Sequence, residues 1–422
     1  FPADAFRSIW RFGVFNAVQS YCFDSVYSSD ENIVVSAPTG AGKTVLFELA
    51  IIRVFMSSTS DQSKAPTKSL CSERATDWKK KFGSGLGWKV VELTGDSEIG
   101  STIWREVASS RIIVTTPEKW DAMTRRWHDH DKILSELQLF CVDEVHSVGT
   151  DVRGAVLEVV VSRMKTLGTS TRFVAVSATV PNIRDVADWL STLLAFFFAP
   201  ACASTDLFSN IADSPVLLKR VVYGYNKSSN DFAFTKTLNL ELFKLVKKHS
   251  SGNPVLIFCS TRKGCLEAAE QLVKDYKESL TTSQQTRQPL AWPRPPRSSY
   301  SINDKRVATL IENGVSIHHA GMDQNDRKLV EKLFLDGKIS IICSTSTLAV
   351  GVNLPARMVI IRGTKGYSDG RMNDYADMDV LQMLGRAGRP QFDRLGVGEL
   401  SRVRCLPRYG FKLTQNLLQL SS

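Results

Sequence analysis

One stretch limits the possible folds more than any other: NIVVSAPTGAGKTVLFELAII, from Asn32 to Ile52. A short apolar run leads into a glycine-bearing turn, then Lys-Thr, then a helical pattern. That order is the strand–loop–helix context of a phosphate-binding loop, with Ala37 where the pattern has its first glycine. Pro38, Thr39 and Ala41 fill the turn, and Gly40 and Gly42 permit the tight backbone whose N–H groups face phosphate oxygens. Lys43 supplies a point charge to the β- and γ-phosphates, and the Thr44 hydroxyl can ligate Mg²⁺. The helix that starts there adds its positive N-terminal end. The bland alternative is a glycine-rich turn with no ligand; Gly-Lys-Thr between one strand and one helix argues against it.

The rest of the chain repeats the alternation that such a loop requires. Apolar runs at 32–36, 88–94, 111–116, 137–144 and 172–178 read as buried strands separated by helices. A second series follows at 216–224, 254–260, 315–320, 340–345 and 357–364. The 422 residues allow two domains with cores of their own. Two α/β domains with parallel sheets are the economical reading. Residues 279–304, rich in Ser, Thr, Gln, Pro and Arg, read as a surface loop or disordered insertion.

Chemistry collects at strand ends. The run LQLFCV closes in Asp143-Glu144-Val145-His146. Carboxylates at the carboxyl end of a buried strand lie where α/β sheets bind ligands. Asp143 can hold Mg²⁺ and Glu144 can polarise an attacking water. Ser177-Ala178-Thr179 closes RFVAVSA; alone it is only a turn, but beside the acidic pair it suggests a hydroxyl link. In QMLGRAGRP, Arg386 and Arg389 lie three apart and project to one side of a helix start, as arginine fingers on a γ-phosphate do.

A net charge of +10 leans toward a polyanionic partner, although a merely basic surface accounts for it equally. The eight cysteines show no CxxC spacing and read as buried free thiols. His318-His319 has no neighbour at metal-ligand spacing. The longest apolar run, Thr192–Cys202, is too short to cross a bilayer. The chain opens at Phe1 rather than Met, as a fragment would.

The ordered set APTGAGKT, APTKSLCSER, LTGD, TTPEKWD, DEVH, SAT, VLIFCSTR, IHHAGM, STSTLAVGVNLPA and QMLGRAGRPQFD resembles the superfamily 2 helicases. The Ski-like group is nearest, and the opening segment is similar to its meiotic crossover-promoting DNA helicases. The resemblance covers 6–56, 65–191, 216–280 and 305–393. It implies two tandem RecA-like domains with ATP in the cleft between them: 1–195, an atypical linker 196–215, 216–393, and a divergent tail 394–422. By resemblance, Gln19 reads the adenine, although its place on an amphipathic stretch also suits a plain polar-face residue. Lys43, Thr44, Asp143 and Glu144 serve phosphate, Mg²⁺ and hydrolysis, and His146, Ser177 and Thr179 couple hydrolysis to movement. Gly351 and Asn353 sense nucleotide, and Gln382, Arg386 and Arg389 complete the site. Pro66, Thr67, Lys68, Arg74, Thr94, Gly95, Asp96, Thr116, Pro117, Glu118, Thr261, Arg262, His319, Ala320, Gly321 and Thr345 line the nucleic-acid path.

The function implied is an ATP-dependent DNA helicase and translocase of 3′-to-5′ polarity. It would be nuclear and monomeric, act on single-stranded and branched DNA in meiotic recombination, have recombination proteins as unidentified partners and have no membrane role. An RNA helicase of the same group, an inactive nucleic-acid-binding remnant and another phosphate-loop enzyme remain as alternatives. Three stretches depart from the family. Ser57–Lys64 lacks the apolar strand expected before the APTK box, Thr192–Ser214 replaces a polar connector, and the chain beyond Asp393 diverges. Each begins abruptly beside matched sequence, as a gene-model error would.

Overall fold

The apolar runs become strands because each is short, rich in Val, Ile and Phe, and flanked by turn residues. The computed structural model describes residues 4–10, 12–37, 40–57, 65–68, 71–93, 101–125, 134–148, 152–166, 171–177, 183–192, 195–197, 217–226, 230–282, 292–297, 300–346, 348, 354, 356–368, 371–388 and 395–403. The chain divides into two units, Phe1–Ser214 and Pro215–Ser422.

The first unit is built on a parallel sheet of β1 (Ile33–Ser36), β2 (Ala65–Lys68), β3 (Val90–Leu93), β4 (Ile112–Thr115), β5 (Leu139–Val142), β6 (Arg172–Ser177) and β7 (Ala195–Phe197). The spatial order is β3-β4-β2-β5-β6-β1-β7. Its helices include α1 (Asp4–Arg7), α2 (Ala17–Phe23), α3 (Thr44–Ser57), α4 (Cys71–Trp78), α5 (Ser101–Ala108) and α6 (Pro117–Thr124). Helix α3 is buried around most of its girth, with Leu46, Leu49, Ala50, Ile51 and Ile52 at zero exposure, so it packs as core rather than as a surface helix. Side chains of this size contribute about 1.5–3 kcal/mol each when buried.

The sheet corrects one expectation. The slot before the APTK box is not left without a strand, because Ala65–Lys68 is itself that strand, paired in parallel with both β4 and β5. Pro66 withholds one ladder N–H. The pairing of the backbone does not depend on apolar side chains here, since β4 and β5 on either side are wholly buried. Residues 58–64 lie outside the described residues. The register sets Lys68 opposite Thr115 and Val142, and Ser36 opposite Ser177. These strand ends therefore share one edge.

A second correction concerns only the start of 196–215, expected as linker, since 198–215 lie outside the described residues. Ala195–Phe197 pairs with Val34–Ser36 as an edge strand, and the Phe196 ring meets Tyr21 edge-on at 5.5 Å. The apolar run thus starts as part of the first sheet.

The second unit carries β8 (Leu217–Tyr225), β9 (Val255–Phe258), β10 (Val315–His318), β11 (Ile341–Ser344) and β12 (Met358–Arg362). An antiparallel hairpin of β13 (Lys365–Ser368) and β14 (Arg371–Asp374) precedes β15 (Leu395–Val403). The sheet order is β10-β11-β9-β12-β15-β8, all parallel. The expected tail beyond 394 therefore begins as an interior strand, with Val397 buried. The insertion also differs from expectation where it is described. Trp292 is buried, stacks on Tyr276 at 4.0 Å and donates to the Asn313 carbonyl, while Arg297 pairs with Glu312. Among the described residues no helix is long and apolar enough to cross a membrane. Cys22, Cys141, Cys259, Cys265 and Cys343 are buried free thiols, as their apolar settings lead one to expect.

Candidate nucleotide and nucleic-acid sites

The edge that gathers the strand ends also gathers the chemistry. Leaving β1, the chain keeps Ala37 in register with β6, its N–H donating to the Ser177 carbonyl at 3.1 Å. Gly40 and Gly42 take φ of 84° and 73°, conformations that glycine adopts without cost. Helix α3 opens at Thr44, so the loop lies against a helix N-terminus. Lys43 Nζ donates to the Ala37 carbonyl at 2.7 Å. Burial lowers the Lys43 pKa, and the charges of Glu144 and Asp143 oppose that shift. The loop lysine and the acidic pair thus share one electrostatic environment. The donor set fits a triphosphate with Mg²⁺, with positive-φ glycines and an ammonium for phosphate, and a hydroxyl and carboxylate for the cation.

Beyond β5 the acidic pair is held under strain. Glu144 adopts left-handed backbone, φ 53° and ψ 42°, which costs a non-glycine residue of the order of 1–3 kcal/mol. Its N–H donates to Asp143 Oδ1 at 3.0 Å. His146 follows in a tight turn, and its Nδ1 lies 3.3 Å from Glu144 Oε2 and 3.2 Å from Ser177 Oγ. One imidazole therefore touches both Glu144 and Ser177 at the end of β6.

Gln19 lies on α2, and its Nε2 donates to the Gly42 carbonyl at 3.2 Å. The structure thus places Gln19 against the loop backbone. Sequence reasoning missed Asn16, whose Nδ2 donates to the Ala41 carbonyl at 3.0 Å; its signal was an Asn three residues before a Gln at a helix start. It also missed Glu48, a fully buried carboxylate on α3.

In the second unit the QMLGRAGR turn is pinned by a parallel bridge between Ala356 and Ala387. The Ala356 N–H donates to the Arg386 carbonyl at 3.0 Å. Gln382, in the helix Asp377–Leu384, is half-buried. Pro38, Thr39, Gly351, Asn353, Thr179, Arg389, Thr94, Gly95 and Asp96 lie outside the described residues. Pro66, Thr67 and Lys68 are described as backbone only.

The nucleic-acid candidates divide by unit. In the first, Thr116 caps α6, its Oγ1 accepting the Lys119 N–H at 3.2 Å, with Pro117 at the first turn and Glu118 exposed. The buried Arg74 Nε has no partner among the described residues. In the second, Thr261 Oγ1 accepts the Gly264 N–H at 3.0 Å at the start of the helix Arg262–Thr282. Arg262 lies across Gly321, where an added Cβ would come within 2.8 Å of its guanidinium. Burial lowers the His319 pKa, and Arg262 lowers it further. Its buried Nδ1 has no partner among the described residues. Ala320 is exposed beside it, and Thr345 follows β11.

The model of the DEAD/DEAH box helicase family matches residues 16–186, and that of the helicase conserved C-terminal domain matches 300–391. The chain is 45% identical to the "Probable ATP-dependent DNA helicase HFM1" of Homo sapiens over 92% of its length and 27% of that protein. It is 42% identical to the "ATP-dependent DNA helicase MER3" of Saccharomyces cerevisiae over 93% of its length and 32% of that protein. The chain thus spans about a third or less of these curated relatives.

Proposed function

The chain belongs to the Ski-like superfamily 2 helicases, and from that premise we propose that it is the motor core of an ATP-dependent DNA helicase. The observation that carries the proposal is the meeting of Lys43, Asp143 and Glu144 at one edge of the first sheet, with His146 bridging Glu144 to Ser177. In this reading the loop amides and Lys43 bind the phosphates, and Glu144 orients the water that attacks the γ-phosphate. Thr44 and Asp143 would hold Mg²⁺, which supplies charge neutralisation. Gln382, Arg386 and Arg389 of the second unit act on the same reaction, so turnover needs both units.

Movement follows from a grip that reads backbone rather than base. The hydroxyls, backbone groups and few cations at Pro66–Lys68, Arg74, Thr116–Glu118, Thr261, Arg262, His319–Gly321 and Thr345 suit sequence-independent phosphate contact. The relatives named as DNA helicases support DNA as the strand gripped. We place the activity in the nucleus, in meiotic recombination and crossover formation, with 3′-to-5′ polarity and a monomeric chain.

The test is ATP turnover by the whole chain with single-stranded DNA and RNA in parallel. DNA should stimulate turnover more than RNA, and Glu144→Gln should abolish it. Stimulation by RNA alone would favour an RNA helicase of the same group. No turnover with either would favour the inactive binding remnant.

A further inference from the structure

Two side-chain amides lie against the back of the phosphate loop. Asn16 is the N-cap of α2; its Oδ1 accepts the Gln19 N–H at 2.9 Å, and Gln19 Oε1 accepts the Asn16 N–H at 3.0 Å. Each side chain thus commits its oxygen to the helix start and turns its NH₂ outward. Asn16 Nδ2 then donates to the Ala41 carbonyl at 3.0 Å, and Gln19 Nε2 to the Gly42 carbonyl at 3.2 Å. The two bonds fall on successive carbonyls of the loop.

In a trans peptide the C=O and N–H point in opposite directions. Holding the Ala41 carbonyl toward α2 therefore turns the Gly42 N–H away from α2, and holding the Gly42 carbonyl does the same for the Lys43 N–H. These are the amides a phosphate loop needs on its open face. The contact is close. An added Cβ on Gly42 would lie 2.4 Å from Gln19 Nε2 and 3.2 Å from Asn16 Nδ2. Glycine is also the residue whose flanking peptides rotate most freely, so the orientation of the Ala41–Gly42 peptide needs an external constraint.

We propose that Asn16 is a positioning residue whose Nδ2 fixes the Ala41–Gly42 peptide, so that the Gly42 N–H faces phosphate before nucleotide arrives. It acts through the loop and touches no substrate. The inference rests on reading this loop as the ATP site. A pre-aimed amide spares the loop an ordering cost on binding, so its loss weakens nucleotide binding rather than chemistry.

The test compares Asn16→Asp and Asn16→Ser with the parent in the full chain. Both retain an oxygen able to cap α2, and neither retains the NH₂ donor; serine does so without adding charge. Without nucleotide, hydrogen exchange should quicken at 40–46 and stay unchanged at 17–23. With ATP, KM should rise about tenfold, as expected for one lost hydrogen bond, with kcat within about twofold. Unchanged exchange at 40–46 in both variants overturns the inference. So does quickening at 17–23 in step with 40–46, which marks a helix cap and nothing more. If the parent binds no ATP, the nucleotide reading fails, while the exchange result still decides the role of Asn16.

Discussion

Lys43 stands where burial works against its charge and two carboxylates work for it. Nucleotide binding needs the ammonium form, so affinity is lost as pH rises through the Lys43 pKa, and burial brings that loss below the ordinary lysine range. Glu144→Gln removes one of the two supporting charges, so the alkaline loss should begin at lower pH. Equilibrium ATP binding across pH measures this, and an unmoved alkaline limb would contradict the shared environment of Lys43 and the acidic pair. At His319 the neighbouring charge adds to the effect of burial instead of opposing it. Burial, and then Arg262, keep it neutral below the ordinary histidine value. A phosphate beside it offsets Arg262 and raises its pKa, so DNA binding takes up a proton. Affinity for single-stranded DNA should therefore strengthen as pH falls through the histidine range, and His319→Asn should flatten that slope. Both residues were legible in the sequence as motif members. Their titration was not, because it depends on neighbours such as Arg262 and Glu144 that only the fold brings near.

At the scale of elements, Glu48 ties three segments of the first unit together. Its buried carboxylate accepts from Trp10 Nε1 at 2.6 Å, Trp78 Nε1 at 3.1 Å and Lys81 Nζ at 2.8 Å. The segment before α2, the phosphate-loop helix α3 and the end of α4 thus meet at one side chain. Glu48→Ala would leave two buried indole N–H groups without their acceptor, while the Lys81 ammonium would keep Asp77 at 2.9 Å. A loss of about 2–6 kcal/mol is expected, about 1–3 kcal/mol for each stranded indole N–H. Glu48→Gln keeps one carbonyl oxygen and should cost about 1–2 kcal/mol. Denaturant unfolding of each variant measures both, and equal, small losses would remove the hub role. Nothing in the sequence marks Glu48, since a lone Glu in an apolar helix reads as a solvent-facing residue. The strands show the same division. Continuous Val/Ile runs such as β1, β4 and β12 were legible because burial on both faces demands them. Strand β2 was not, because APTK has a proline and only one aliphatic side chain, and its place is fixed by β4 and β5. Strand β15, LGVGELSRV, has two glycines that weaken its strand signal, and its pairing partners lie far away in sequence.

At the scale of the molecule, each unit has its own sheet and its own buried cluster. The consequence for the second unit turns on β15, which joins β8 to β12 along registers that run through Leu395–Val403 and Met358–Arg362. Ending the chain at Asp393, where the resemblance to the family stops, deletes that strand. Among the described residues, β12 then loses its neighbour on one side and β8 loses its only strand partner. An opened edge on a buried strand exposes unpaired N–H and C=O groups and apolar side chains. A domain holds only about 5–15 kcal/mol in reserve, so the second unit should unfold or aggregate. The first unit shares none of these pairings and should persist, with Lys43 and its loop still able to bind nucleotide. Limited proteolysis of the truncated chain should therefore leave a protected fragment close to 1–214. ATP binding should survive in that fragment, and DNA-stimulated turnover should be lost with the arginines of the second unit. A truncated chain that resists proteolysis along its whole length, with unchanged turnover, would show that β15 is dispensable and that the second sheet closes at β12.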